Sequence, residues 1–438
     1  MAKLTFNGGI HPYDGKDLTR EFSIVDILPK AELVYPLSQH IGAPATPIVN
    51  KGDRVLRGQK IAEATGFVSA PIHSSVSGTV KAIEPRRVVT GDMVMSIVIE
   101  NDEQYEEVIY ESCDNLEDLS NEQMIAKVKE AGVVGMGGAG FPTFIKLSPK
   151  NPKKIDYVIA NCAECEPYLT SDYRRMIEEP EKLVEGMKIM LRLFENAQGI
   201  LAVEDNKPDC IEILKNLTKD ETRITVKELK TKYPQGSERQ LIYASCGRRL
   251  NSEKLPSDVG CIVDNVDTIV AIYHAVIYGK PLMERIITVT GDCVRNPRNY
   301  KVYVGMNYQE LLEASGNFKK KPEKVISGGP MMGFALFQLD VPTTKTASAL
   351  LCLSRDDVSA EKETACINCG RCVEACPSRI VPSKLADYAN RGQEEAFLKA
   401  NGMECIECGT CSYVCPAKRQ LTQSIKSMRK MQLAKKKK

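Results

Sequence analysis

The chain has 438 residues and carries 59 basic against 57 acidic side chains, a net charge of +2. This length predicts three or four domains, and the balanced charge argues against nucleic acid as a partner. The first residues show no secretion signal, and no uninterrupted apolar run reaches the ~20 residues that span a bilayer. We therefore expect a cytoplasmic protein that meets a membrane only through a partner.

Short β-rich segments alternate with turn signals in the first part of the chain. Between residues 47 and 84 lie the β-rich segments PIV, KIA and GTVKAI, with the turn signals KGD and RGQ between the first two, a pattern that predicts a small β sandwich. The pattern resembles the biotinyl and lipoyl carrier fold, in which a lysine of the central hairpin receives the prosthetic group. The corresponding turn, PIHSSV at residues 71–76, has no lysine. We expect a docking or scaffolding domain without carrier chemistry.

A helix followed by a glycine-rich loop comes next. Ser120 and Gln123 form a capping-box pattern that opens the helix NEQMIAKVKEAG, which Gly132 ends. The loop GMGGAGFPT (135–143) has four glycines in its first six positions, and Lys146 lies three residues beyond it. Exposed N–H groups beside a lysine form a cradle for phosphate. The loop has neither the dinucleotide fingerprint nor the GK[ST] ending of a P-loop.

The apolar strand IDYVIA ends at Ala160 and is followed by NCAECEP (161–167). A strand end that delivers an asparagine and two carboxylates into a loop is common in ligand sites of α/β domains. Cys162 and Cys165 have the C-x-x-C spacing of redox or metal sites, although no histidine or further cysteine stands nearby. Small neutral side chains lining the loop are the other interpretation.

Eight of the sixteen cysteines lie in two copies of one motif near the end of the chain. CINCGRCVEACP begins at Cys366 and CIECGTCSYVCP at Cys405, and both follow the C-x2-C-x2-C-x3-C-P pattern in which the fourth cysteine ligates the other cluster. Structural zinc also uses C-x2-C pairs, but it leaves the third and fourth cysteines and the prolines unexplained. Between the motifs, apolar residues at helical spacing around Leu385 and Phe397 predict a helical insert. The pattern predicts two [4Fe–4S] clusters, held by Cys366, Cys369, Cys372 and Cys415 and by Cys376, Cys405, Cys408 and Cys411.

The phrases GMGGAGFPTFIK and NCAECEP resemble the flavin-carrying, NADH-oxidising subunit of respiratory complex I. They are closer still to the RnfC family of the Rnf complex, a membrane-associated assembly that exchanges electrons between ferredoxin and NAD. Further similar segments are YPQGSERQ (233–240), DNVDT (264–268) and residues 286–334, the last of which looks like a soluble-ligand-binding β-grasp module.

The resemblance implies a multidomain α/β fold with a defined order of domains. They are a carrier-like β-sandwich domain without modified lysine (1–115), an α/β FMN/NAD(H)-binding domain (116–285), a β-grasp module (286–350), a helical ferredoxin-like domain with two [4Fe–4S] clusters (351–425) and a basic tail (426–438). We expect the tail to be solvated, with contact to acidic lipid as the alternative.

Carried over residue by residue, the resemblance also implies a site. FMN would be held around its phosphate by Gly135, Gly137, Gly138 and Lys146, and along its ribityl chain or ring by Asn161, Glu164, Asp264 and Asn265. NAD(H) would stack on Phe141 and hydrogen-bond through its ribose hydroxyls to Glu166 and Glu238. The chain departs from its complex I relatives, which have an acidic residue in place of Ala163, a glutamate in place of Ser237 and an aromatic residue near Pro149.

The resemblance implies a peripheral subunit at the cytoplasmic face of the cell membrane, in an ion-translocating ferredoxin:NAD+ oxidoreductase. Its partners would be the other Rnf subunits, including a ferredoxin-accepting iron–sulfur subunit. Because hydride passes directly between NAD(H) and FMN, no catalytic side chain is expected. Two alternatives stand beside this one: a soluble flavin and iron–sulfur NADH dehydrogenase or hydrogenase subunit, and a scaffold with a decayed flavin site. The domain order argues against the first, and the intact glycines, Lys146 and cysteine motifs argue against the second.

Overall fold

The computed structural model describes residues 4–436. The strands are β1 (Val25–Asp26), β2 (Leu33–Pro36), β3 (Thr46–Pro47), β4 (Arg54–Val55), β5 (Lys60–Glu63), β6 (Ile72–His73), β7 (Gly78–Arg87), β8 (Met93–Asn101), β9 (Tyr157–Cys162), β10 (Gln198–Glu204), β11 (Ile224–Leu229), β12 (Cys261–Asn265), β13 (Glu284–Thr290), β14 (Arg298–Tyr303), β15 (Lys324–Ser327), β16 (Phe334–Leu336) and β17 (Ala349–Leu353). The α-helices are α1 (Asn121–Glu130), α2 (Thr143–Lys146), α3 (Ser171–Glu178), α4 (Pro180–Leu193), α5 (Pro208–Leu217), α6 (Glu238–Cys246), α7 (Val266–Tyr278), α8 (Tyr308–Ala314), α9 (Asp357–Ala360), α10 (Arg371–Glu374), α11 (Pro382–Asn390), α12 (Glu394–Lys399), α13 (Thr410–Tyr413) and α14 (Leu421–Lys436). Short 3-10 helices lie at Lys16–Leu18, Leu116–Asp118, Pro152–Lys154, Pro256–Val259 and Gly402–Glu404.

Two small antiparallel sheets form the first domain. In spatial order, one sheet is β2, β8, β7, β4 and the other is β3, β5, β6. Side chains from both sheets meet in one apolar core, in which Leu33, Ile61, Ile72 and Ile97 are fully buried. The expected β sandwich is therefore present.

A parallel sheet in the order β11, β10, β9, β12 forms the second domain. Both faces of the sheet are covered, so the two central strands, β9 and β10, carry continuous apolar runs. Val158 and Ala160 of β9 face one core with α4, α5 and α7, while Ile159 faces another core with α6. α1 begins with the predicted capping box, since Ser120 and Gln123 each accept the other's backbone N–H. Strand order changes direction at β9, which leaves a crevice between the carboxyl ends of β9 and β12.

The third sheet has the order β1, β14, β13, β17, β15, β16. Its consecutive members span residues 284–353, slightly more than the 286–350 expected of the β-grasp module. β1, by contrast, comes from the start of the chain and pairs in parallel with β14, with Val25 opposite Tyr300.

The segment before β1 crosses three domains. Ile10 exchanges backbone hydrogen bonds with Tyr233 of the parallel domain, and the Gly9 N–H donates to the Ala375 carbonyl of the cysteine-rich domain at 2.9 Å. Residues 4–26 thus form a strap across neighbouring domains, whereas the expected β-sandwich domain was taken to include them.

Helices α10 to α14 form the C-terminal domain around a core that includes Leu385, Phe397, Ile425 and Met428. The predicted helical insert is present as α11 and α12. α14 packs on α11 and runs through the expected boundary at 425/426 to Lys436. The described part of the expected solvated tail is therefore helical, because Ile425 and Met428 anchor it in the core. Over residues 4–436, no helix is both long and apolar enough to cross a membrane.

Candidate flavin and iron–sulfur sites

The crevice between β9 and β12 is the centre of the candidate flavin site. The strand register places Asn161 of β9 directly beside Asn265 of β12, although 104 positions separate them in the sequence. The Asn161 side chain donates to the Gly236 carbonyl at 2.8 Å. The Asn265 side chain caps α7 by accepting the Asp267 N–H at 2.9 Å. Both predicted residues therefore lie together, each fixed by the backbone around it.

The half-buried Lys146 and the buried Asp264 form an ion pair beside this crevice. The Lys146 ammonium donates to the Asp264 carboxylate at 2.9 Å and to the Val263 carbonyl at 2.8 Å. Burial tends to lower the pKa of Lys146, but Asp264 and Glu238 outweigh it and raise the pKa. The second Asp264 carboxylate oxygen is buried without a hydrogen-bond partner among the described residues. An unpaired buried acceptor of this kind fits a site that receives a donor from a ligand.

The glycine-rich loop folds over the same crevice. The Gly135 N–H donates to the Phe141 carbonyl at 2.8 Å and closes the loop. A Cβ on Gly137 would lie 3.1 Å from the Cβ of Asn265, so this glycine allows close approach to the strand end. Gly138 is exposed, and a Cβ there would meet no atom within 4 Å. The space beside Gly138 is therefore open to a ligand.

Glu164 is oriented towards the protein interior. Its carboxylate accepts the N–H groups of Asp172 at 2.7 Å and Tyr173 at 3.3 Å, at the start of α3, and Lys16 lies 3.9 Å away. Burial raises the pKa of Glu164, and the lysine charges oppose that rise. A negative charge at a helix N-terminus is favourable, so Glu164 stabilises the loop from behind. Its contact with FMN stays a prediction.

The three residues predicted to bind NAD(H) are dispersed around the loop. Phe141 is half-buried next to the glycines, and Glu238 is exposed at the start of α6. Glu166 instead reaches the third domain, where its carboxylate accepts the N–H groups of Met331 at 2.8 Å and Met332 at 3.1 Å. Burial raises the pKa of Glu166 to about 7, against the opposing effect of these two donors.

Sequence reasoning assigned no role to Asp172, a further carboxylate of the crevice. It accepts a hydrogen bond from the Asn265 side chain at 2.7 Å. Burial, followed by the charges of Glu164 and Asp267, raises the pKa of Asp172. Its position in the first turn of α3, directly behind the NCAECEP segment, is the sequence signal that could have drawn attention to it.

The first predicted cysteine set surrounds a single cavity. A space of about 120 Å³ is lined by Cys366, Cys369, Cys372 and Cys415. Arg419 also lines it, and one guanidinium nitrogen, Nη1, is buried without a hydrogen-bond partner among the described residues. Four thiols and a cation around one cavity fit an anionic thiolate-bound cluster. Across residues 4–436, no three His, Cys, Asp or Glu side chains are grouped so that they could hold a single metal ion.

The second predicted set lies deeper. Cys376, Cys408 and Cys411 are buried and Cys405 is half-buried, whereas Cys366 and Cys369 of the first set are exposed. Burial raises the pKa of the Cys411 thiol, and the charges of Cys408 and Cys376 raise it further because these thiols are close together.

Direct contacts join the second set to the flavin domain. The Tyr233 hydroxyl donates to the Cys408 carbonyl at 2.7 Å, and Arg239 of α6 donates to Glu404, next to Cys405, at 2.8 Å. Tyr233 lies in the segment YPQGSERQ (233–240), but its contact with Cys408, 175 positions away, could not be inferred from the sequence.

Comparison with known proteins agrees with this arrangement. Residues 4–104 match the family described as the RnfC barrel sandwich hybrid domain. The chain is 44% identical over 436 residues to the C subunit of the Na+-translocating ferredoxin:NAD+ oxidoreductase complex of Acetobacterium woodii, covering 99% of this chain and 98% of that protein. The chain belongs to the RnfC family. A second relative, the C subunit of the proton-translocating ferredoxin:NAD+ oxidoreductase complex of Clostridium ljungdahlii, is 44% identical over 97% of this chain and 93% of its own length. The C subunit of the ion-translocating oxidoreductase complex of Vibrio cholerae is 38% identical over 88% of this chain but only 50% of its own length.

Three further family models match later parts of the chain. Residues 128–274 match the Nuo51 FMN-binding domain, 286–335 the SLBB domain and 365–419 the 4Fe-4S dicluster domain. These matches confirm the predicted multidomain architecture in outline, and FMN and [4Fe–4S] as its cofactors. They do not assign individual ligands.

Among solved structures, an NAD+-reducing [NiFe]-hydrogenase shares the fold. Its H2-reduced form matches with a TM-score of 0.51 at 19% identity, over 70% of this chain and 61% of the hydrogenase chain. Its air-oxidised form matches with a TM-score of 0.51 at 18% identity, over 71% of this chain and 66% of that chain. At this identity the likeness concerns the fold alone.

Proposed function

We propose that this chain is the peripheral subunit through which a membrane-bound, ion-translocating ferredoxin:NAD+ oxidoreductase exchanges electrons with NAD(H). The relatives from Acetobacterium woodii and Clostridium ljungdahlii are named as subunits of such complexes and match over nearly their full lengths. The observation that carries the proposal is the interface between the flavin domain and the second cysteine set, called the seam below. Tyr233 and Arg239 form hydrogen bonds across it. One chain thereby joins a flavin crevice to iron–sulfur ligands.

FMN would lie in the crevice between β9 and β12. Gly135, Gly137 and Gly138 would hold its phosphate region, with Lys146 supplying positive charge nearby. The other predicted contacts are Asn161, Glu164, Asp264 and Asn265. The open space at Gly138 and the unpaired oxygen of Asp264 support this assignment. When bound, FMN supplies the conversion between the two-electron hydride chemistry of NAD(H) and the one-electron chemistry of the clusters.

NAD(H) would bind on the exposed side of the glycine-rich loop, with Phe141 and Glu238 as contacts; the predicted contact with Glu166 would compete with its hydrogen bonds from Met331 and Met332. We assign no general acid or base, because hydride transfer to a flavin needs none. The protein's contribution is to hold the nicotinamide against the flavin and to exclude water.

The two clusters would lie at different distances from the flavin domain. The set of Cys376, Cys405, Cys408 and Cys411 contacts the flavin domain and would hold the inner cluster. The set of Cys366, Cys369, Cys372 and Cys415 would hold the outer cluster. Exposure of Cys366, Cys369 and the neighbouring Ile367, which is 66% exposed, would bring this cluster close to a partner redox protein.

That partner would be another subunit of the assembly, including a ferredoxin-accepting iron–sulfur subunit, at the cytoplasmic face of the membrane. The coupling ion would be sodium or a proton, since relatives of equal identity are named for each.

The proposal is tested by a visible spectrum of anaerobically purified protein, reconstituted with iron, sulfide and FMN, before and after addition of NADH. We expect both the flavin band and the broad iron–sulfur absorption to bleach. The variant Gly138→Trp should fold, because a Cβ at this position meets no protein atom within 4 Å, but it should lose FMN and the bleaching. The matched variant Gly138→Ala should keep both. If dithionite reduces the clusters of the FMN-loaded protein and NADH does not, the chain is an electron relay or a scaffold.

A further inference from the structure

Two cysteines outside the cluster motifs lie side by side within the flavin domain. Cys246 is the last residue of α6 and Cys261 is the first of β12, and their sulfur atoms lie 3.8 Å apart. Cys261 is fully buried, while Cys246 is half-buried on the accessible side of the pair. Sulfurs at this separation are not bonded, since a disulfide measures about 2.05 Å, but they are near enough for modest side-chain rotation to bond them.

The surroundings favour reaction at Cys246. The hydrogen bond from Cys261 lowers the pKa of Cys246, and Arg248 and Lys227 add to the effect against the opposing influence of burial. Lys227 is held nearby by donating to the Ser245 carbonyl at 2.7 Å. A partly accessible thiolate among cations is the usual environment of a reactive cysteine.

We propose that Cys246 and Cys261 are a reversible thiol–disulfide site that reacts with a low-molecular-weight disulfide such as oxidised glutathione. The Cys246 thiolate attacks one glutathione sulfur, forming a mixed disulfide and releasing one glutathione thiolate. Cys261 passes its proton to the glutathione thiolate released in the first step and attacks the Cys246 sulfur, which releases the second glutathione thiolate. In total, two protein thiols are oxidised to one disulfide and one glutathione disulfide is reduced to two thiols.

The crosslink would act on the seam between the flavin and cluster domains. It closes residues 246–261 into a ring that contains Ser252, whose N–H and hydroxyl both donate to Glu404, at 3.0 and 2.6 Å. Glu404 also accepts from Arg239 and directly precedes Cys405 of the inner cysteine set. Oxidation would therefore restrict the loop that meets the inner cluster's ligand segment, without touching a cluster cysteine.

The test equilibrates full-length, cluster-loaded protein anaerobically in buffers of reduced and oxidised glutathione, followed by acid quench, N-ethylmaleimide labelling and tryptic mass spectrometry. We expect the peptide of residues 240–248 to become linked to that of residues 255–285, to be released by dithiothreitol, and to form while the iron–sulfur absorption stays constant. The linked peptide should be absent from Cys246→Ser and from Cys261→Ala. It should persist in Cys113→Ser, a matched control because Cys113 is also half-buried and its thiol donates to a backbone carbonyl, that of Asn115.

Two results would overturn the proposal. In one, both thiols stay labelled by N-ethylmaleimide in fully oxidised glutathione. In the other, Cys246 accumulates as an unresolved mixed disulfide. Hydrogen exchange tests the effect on the loop. Exchange over residues 249–254 should be slower in the oxidised protein than in the reduced protein. Equal exchange in the two states would refute the proposed effect on the seam.

Discussion

Replacement of Glu166 by glutamine tests how the flavin domain is joined to the β-grasp sheet. One carboxylate oxygen accepts two backbone N–H groups, from Met331 and Met332. Gly329 packs so closely that an added Cβ would lie 2.3 Å from the Glu166 side chain. Burial raises the pKa of Glu166 from 4.5 to about 7. In the folded chain the protonated form therefore persists to a higher pH than it does in the unfolded chain.

The sign of the pH effect follows from this shift. Because the folded-state pKa lies above the unfolded value, the stability that Glu166 contributes is complete below pH 4.5 and is lost as pH rises through about 7. At 1.36 kcal/mol for each pKa unit, the loss reaches about 3 kcal/mol. Glutamine keeps an acceptor oxygen but carries no charge. We expect the free energy of unfolding of Glu166→Gln to exceed that of the parent by up to about 3 kcal/mol at pH 8.5, and by only about 1 kcal/mol at pH 5.5.

Urea unfolding followed by circular dichroism at 222 nm, between pH 5.5 and 8.5, measures this difference. Glu195→Gln, at an exposed position in the same domain, is the matched control for the loss of one negative charge. A stability difference between Glu166→Gln and the parent that does not change with pH would refute the reasoning. So would a variant less stable than the parent at pH 8.5.

Four further substitutions test the packing, the cluster ligands and the cluster seam. Gly186→Ala in α4 should lower the thermal unfolding midpoint and reduce the free energy of unfolding by about 1–3 kcal/mol, because the added Cβ would lie 2.5 Å from the Ile269 carbonyl oxygen. An unchanged midpoint would mean that α4 and α7 are less closely packed than the structure shows. Cys408→Ser and Cys369→Ser should each lose about half of the iron bound per chain in a colorimetric assay, and a full iron content in either variant would remove that cysteine from the ligand sets. Tyr233→Phe removes the hydrogen bond to the Cys408 carbonyl and should cost about 1 kcal/mol. Stopped-flow spectra should show slower cluster reduction by NADH at unchanged FMN content, and an unchanged rate would mean that this hydrogen bond does not contribute to electron transfer.

Several features of this chain were determined by the sequence alone, because they depend on residues close together along it. The capping box of α1 needs only Ser120 and Gln123 three positions apart, and it is present as predicted. Likewise, C-x2-C-x2-C-x3-C spacing sets the distances between neighbouring thiols, so the cysteine motifs indicated [4Fe–4S] chemistry without a fold. The glycine-rich loop indicated a close ligand approach for the same reason.

Tertiary structure decided how distant segments meet and which partner each polar group takes. Asn161 and Asn265 become neighbours only through the register of β9 and β12. Glu166 looked like a nucleotide ligand in the sequence, but it also holds backbone N–H groups of the third domain. The strap formed by residues 4–26 and the contact of Tyr233 with Cys408 could not be predicted either. A carboxylate or hydroxyl can bond to any donor or acceptor that folding brings near it, and only long-range packing selects among them.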